Sequence, residues 1–135
     1  MYIRAIGLIA LLCGCSGVTE VASSANPSGT VVAILKERNG GATTSFGYDV
    51  YLRSSQRFSE EHLVAFIYGA TRSDCAYGVN LKWENDTNLS LEYLKSKSTP
   101  AEPTPTAIDG IVYSVALVAG VRDTTAPCGG MEQHF

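Results

Sequence analysis

Of the side chains able to carry chemistry, imidazoles are the scarcest: the chain has only His62 and His134. A serine hydrolase needs a nucleophile elbow of the Gly-x-Ser-x-Gly kind and a positioned histidine, and no such elbow occurs here. His134 stands one residue from the end of the chain, where fraying is the default, so a solvated tail residue is expected there. Glu60, Glu61 and His62 form a small cluster of acids and imidazole. Neighbours on an extended strand face opposite ways, so these three are not expected to converge on one metal. A meeting of His62 with Asp74 or Glu92 in a deep pocket would point toward an enzyme. Residue types and spacing therefore point to no catalytic residue, no metal site and no cofactor.

The cysteines are more informative. Residues 1–15 run from a short charged start (Met1 to Arg4) through an apolar stretch (Ala5 to Leu12) to Leu12-Cys13-Gly14-Cys15, the grammar of a signal peptide. The apolar stretch is about eight residues, far short of the roughly 20 that a spanning helix needs. Its last four residues resemble the lipobox of bacterial lipoproteins: a Leu three before, a small residue just before, and a cysteine whose thiol takes diacylglycerol before cleavage. Gly14 fits the small position, whereas Cys13 would follow the bulky Leu12. The resemblance implies cleavage before Cys15, lipid on Cys15, and a place in the bacterial envelope, anchored to the membrane through two or three acyl chains. Ser16, rather than Asp, follows Cys15, which by likeness to enterobacterial sorting implies the periplasmic face of the outer membrane rather than the inner membrane.

Removal of residues 1–14 and lipidation of Cys15 leave Cys75 and Cys128 as the remaining thiols in an oxidising compartment, so a disulfide between them is expected. No Cys-x-x-Cys and no adjoining cationic cluster suggests a reactive pair. The formal net charge of −3, with no Lys/Arg cluster, argues against nucleic acid as a partner. A composition of 45% hydrophobic and 17% charged residues is that of one ordinary globular domain. The Asn-x-Ser/Thr triplets at Asn85 and Asn88 matter only in a eukaryotic secretory pathway, which the lipobox makes irrelevant.

The elements that must position these residues read as all-β. Ser16 to Gly29 is small and polar, so residues 15–29 are expected to be a lipidated cysteine and flexible tether, with the β domain spanning 30–135. Six strands are expected in a small antiparallel sheet or sandwich with one disulfide. Thr30 to Glu37 is apolar throughout and should be central. Phe46 to Arg53 alternates, with Phe46, Tyr48, Val50 and Leu52 inward and Gly47, Asp49, Tyr51 and Arg53 toward solvent. Leu63 to Gly69 reads as a strand, although Ser59-Glu60-Glu61 also resembles a helix start. Val79 to Glu84 and Leu89 to Tyr93 form a hairpin through Asn85-Asp86-Thr87-Asn88, with Val79, Leu81, Trp83, Leu89, Leu91 and Tyr93 on one core face. Pro100, Pro103 and Pro105 mark residues 95–109 as an exposed connection. Ile111 to Ala119 is the last strand, apolar on both sides.

Between the first two strands, Asn39, Gly40, Gly41, Thr43 and Thr44 lie in a glycine-rich loop whose backbone and hydroxyl donors make it the candidate binding loop. The run Leu35 to Phe46, with the later Trp83 hairpin, resembles a group of small uncharacterised bacterial envelope proteins in which a strand enters Cys-Gly-Ala-Thr-Thr. Gly40 stands where that group often has Cys. This resemblance implies fold and compartment but no activity. The expectation is a membrane-anchored, non-enzymatic binding or structural module with an envelope protein partner. A periplasmic inhibitor of a hydrolase and an unrecognised enzyme are the alternatives. If the bridge is present, unreduced protein will titrate no thiol and migrate faster than reduced protein, and Cys128→Ser will cost about 4 kcal/mol in urea unfolding. Two free thiols and equal migration are the opposite outcome.

Overall fold

The computed structural model describes residues 17–40, 45–72 and 77–126; Cys15, Cys75 and Cys128 lie outside them. The described residues form eight strands and no helix: β1 (Val18–Ala25), β2 (Val31–Asn39), β3 (Phe46–Ser54), β4 (His62–Tyr68), β5 (Asn80–Trp83), β6 (Asn88–Tyr93), β7 (Thr106–Ile108) and β8 (Ile111–Ala119). They build two four-stranded sheets, ordered β1-β2-β3-β4 and β5-β6-β8-β7. The first is an antiparallel meander. The second contains one parallel pair, β6 with β8, made possible because the long connection after β6 returns through β7 before β8 begins.

The alternating strands explain the core. Val31, Ala33 and Leu35 of β2, Tyr48, Val50 and Leu52 of β3, and Val64 and Ile67 of β4 meet Leu89, Leu91, Tyr93, Ile108 and Tyr113 from the other sheet in one cluster. Leu81 and Trp83 pack at its margin. The predicted core face of the β5–β6 hairpin is therefore present. Its turn is held by Asn85 Oδ1, which accepts from the N–H groups of Thr87 (3.0 Å) and Asn88 (2.9 Å).

Four expectations are corrected. The tether does not extend to Gly29, because Val18–Ala25 pairs along β2 as an edge strand. Its small side chains show no hydrophobic period, and backbone pairing to β2 supplies what the sequence pattern lacks. The exposed connection contains β7, closed onto β8 by Asp109-Gly110. Both of these residues have positive φ (51° and 78°), the geometry that a two-residue hairpin needs. On β3, Gly47 and Asp49 are buried rather than solvated. The Phe66 ring lies over Gly47 so closely that a Cβ there would come within 2.8 Å of it, and Arg38 Nε donates to Asp49 Oδ2 at 2.6 Å. Finally, β8 is not covered on both faces: Val112 is 58% and Val118 36% exposed.

At one end of the sandwich the β1–β2 turn is bound to the β5–β6 turn through the buried Asn26. Its Oδ1 accepts from the N–H groups of Thr30 (2.8 Å) and Val31 (3.1 Å), and its Nδ2 donates to the Asp86 carbonyl (3.0 Å). Nearby, Trp83 Nε1 donates to the Ser24 carbonyl at 2.9 Å while its ring meets Tyr113 edge to face. Asn26→Ala strands these donors and the carbonyl, so a loss of about 2–3 kcal/mol is expected in urea unfolding. A loss below about 0.5 kcal/mol would show that the clasp contributes little.

Candidate binding cleft at one end of the sandwich

The opposite end is built from the last residues of β2, the first of β3, the last of β4 and the segment that follows β6. Tyr48 enters this end from the core. Its ring is completely buried, and its hydroxyl donates to Glu37 Oε2 at 2.7 Å while accepting the Gly78 N–H at 3.1 Å. Arg72 Nη1 donates to both oxygens of the same carboxylate (3.1 and 3.0 Å), and its guanidinium lies 4.5 Å from the Phe46 ring centre and 5.5 Å from that of Tyr77. Burial, reinforced by the hydrogen bond to Glu37, pushes the Tyr48 hydroxyl well above its ordinary 10.0.

Above this network lies a cleft of about 350 Å³ lined by Ser45, Phe46, residues 69–72 and residues 95–97. Two long-range backbone bonds shape it: Lys97 N–H donates to the Tyr68 carbonyl (3.0 Å) and Thr71 N–H to the Lys95 carbonyl (2.9 Å). Tyr68 Oη accepts the Ser45 N–H at 3.3 Å. Among the described residues, the lining offers hydroxyls from Ser45, Thr71 and Ser96 and cations from Arg72, Lys95 and Lys97, and no carboxylate. Such a set suits an oxyanion held by charge-assisted hydrogen bonds. It contains no nucleophile paired with a base.

The sequence-predicted residues fall around this cleft only in part. Asn39 ends β2, and its N–H donates to the Gly17 carbonyl at 2.7 Å. Gly40 lines a shallow recess of about 230 Å³ with Arg38, Ser45, Gly47, Phe66 and Tyr68 on the outer side of the first sheet. Gly41, Thr43 and Thr44, like Asp74 and His134, lie outside the described residues. His62 opens β4 at the far end, in a hollow with Ser54, Gln56, Ser59, Glu60 and Asp109. Glu61 is bound there to Lys36 at 2.6 Å. Among the described residues no three His, Cys, Asp or Glu side chains could hold a metal ion. The reading of residues 95–97 as connection missed their position. Lys-Ser-Lys directly after a secure strand was the available signal, but its neighbour Tyr68 is reached only through the fold.

A wider groove of about 560 Å³ follows the seam between β1 and β5, lined by Ala22, Ser24, Leu81, Asp123 and neighbours. Asn80 donates to Asp123 Oδ2 across this groove at 2.8 Å. No family model, no curated protein and no solved structure matches this chain.

Tyr48 makes a testable demand. The folded state holds the phenolic proton more tightly than the unfolded chain does, so its contribution is complete below about pH 10 and is lost as pH rises beyond that. Tyr48→Phe should cost about 1–3 kcal/mol at neutral pH by stranding the Gly78 N–H and removing one of the two bonds to Glu37 Oε2. It should also flatten the decline of stability above pH 10, read from urea midpoints across that range.

Proposed function

We propose that the protein is a lipid-anchored lipoprotein of the bacterial envelope whose β sandwich acts as a non-enzymatic binding module. The anchor is Cys15, cleavage removes residues 1–14, and Ser16 after the cysteine favours the periplasmic face of the outer membrane. Cys75–Cys128 closes the domain in that oxidising compartment.

The observation that carries the binding role is the outer edge of β8. Ser114 N–H turns toward β6, donating to the Thr87 carbonyl at 2.8 Å, so alternation turns the backbone of Val115 and Leu117 the other way. On that side β7 pairs only with Ile111, Val112 and Tyr113, and beyond Tyr113 no described strand covers the edge. The strand Ile111–Ala119 carries no charge, and Val112 and Val118 are exposed on its outer face. Edges are ordinarily blunted by charge, proline or a bulge, and this one has none of these over Ser114–Ala119. It suits an extended, uncharged segment of an envelope protein, added as a further strand with backbone hydrogen bonds supplying affinity and the exposed valines supplying contact.

Cys15→Ser should move the protein from the membrane fraction to the soluble fraction, and unchanged retention would remove the anchor. With the mature Cys15→Ser chain as bait, a partner cross-linked from envelope extract should be lost by tenfold or more on adding Ala116→Lys and Val118→Lys. These outward positions leave the core and the β6 ladder intact, so the urea midpoint should hold. Equal capture by both baits would overturn the edge as the site. A dimer in sedimentation, dissociated by the same two lysines, would assign the edge to a second copy instead.

A further inference from the structure

We infer that the end of the sandwich carrying Gly17, Lys95 and Lys97 rests on the membrane surface, and that these two lysines engage the phosphates of anionic phospholipid headgroups. The inference rests on the anchor proposed above and adds the orientation and the contact that the anchor imposes.

The length of the link decides the geometry. A tether running to Gly29 would let the domain wander about 20 Å from its anchor. With β1 beginning at Val18 and the Gly17 carbonyl already held by the Asn39 N–H, only Ser16 separates the lipidated cysteine from the folded domain. Two residues span about 7 Å at most. That is within about one Debye length of the headgroups at physiological salt, so charges at this end act on the bilayer through only partial screening.

The strand pairings place the cleft at this same end. Val18 lies beside Arg38, Asn39 beside Phe46, and Gly47 beside Tyr68, whose carbonyl takes the Lys97 N–H. The methylenes of Lys97 pack over Gly69, and both Lys95 and Lys97 are exposed, so their ammonium groups are carried at the rim. Among the described residues of the lining, Arg72 is balanced by Glu37, and Lys95 and Lys97 add two further positive charges. Asp123 and Glu92 sit on the β5–β6 flank, outside that lining.

At the opposite end the turns carry Glu84, Asp86 and Asp109 and the β3–β4 connection carries Glu60 and Glu61, with Arg53, Arg57 and Lys82 beside them; Glu61 is bound to Lys36 and Glu84 to Lys82. The short link, rather than a charge gradient along the molecule, therefore selects the end that faces the bilayer, and the two lysines add attraction to anionic headgroups there.

The test uses the mature, lipidated chain in nanodiscs of phosphatidylethanolamine and phosphatidylglycerol containing a gadolinium-chelating headgroup lipid, read by amide signal loss. Gly17, Gly40, Gly69, Lys97 and Gly120 should be broadened while Gly29, Asp86 and Gly110 persist. Lys95→Glu with Lys97→Glu, like replacement of the lipids by phosphatidylcholine, should relieve the broadening of Gly40, Gly69 and Gly120 by half or more, while Gly17, two residues from the anchor, stays broadened and the protein stays on the disc. Uniform broadening, or broadening of the Asp86 end, would overturn the orientation. A preference unchanged by the double substitution or by phosphatidylcholine would overturn the headgroup contact. Mass spectrometry of the same sample keeps the two readings apart: a chain without lipid on Cys15 refutes the anchor, whereas a lipidated chain with the wrong broadening pattern refutes this inference alone.

Discussion

Burying the Tyr48 ring completely puts a hydroxyl where water cannot satisfy it, and the surrounding structure is arranged around the two partners that hydroxyl finds. Glu37 takes its proton from the end of β2, and Gly78 gives it an N–H from the segment leading into the second sheet. Arg72 then neutralises Glu37 and lies against Phe46. One buried polar atom thus links the second strand, the third strand and the crossing between sheets. Leaving any of its partners unmet would cost more than the bond itself contributes.

The two ends of the sandwich are closed by different chemistry. At the Asn26 end a single side-chain amide joins two turns, and the ladder of bonds is short and local to each turn. At the Tyr48 end the closure runs through charged groups and backbone bonds from Lys97 and Thr71, which leaves room for a cleft rather than a sealed seam. Lys95 and Lys97 come to this end because the segment after β6 passes over the tip of β4 before it can reach β7.

The all-β class, the position of six strands and the core face of the β5–β6 hairpin were legible because alternation and turn chemistry are local signals. Leu63 to Gly69 reads as a strand, and β4 is one despite the acids that precede it. The Asp109-Gly110 hairpin carried a readable signal too, although the prolines just before it pointed to a plain connection.

Other features could not be read from local pattern. β1 is made of small and polar residues whose strand state depends on the backbone of β2 and not on their own side chains. Asp49 alternates like a solvent-facing residue, yet Arg38 and Phe66 cover that face because antiparallel register brings them across it. The apolar outer face of β8 looked like core until the sheet order left one side of it open. The sequence by itself determined the strands that carry alternating side chains and the residues that must be inside them. Tertiary structure alone decided which end holds the lysines, how close β1 brings Gly17 to them, and which edge no described strand covers. These depend on contacts between residues far apart in the chain, and no local period encodes such contacts.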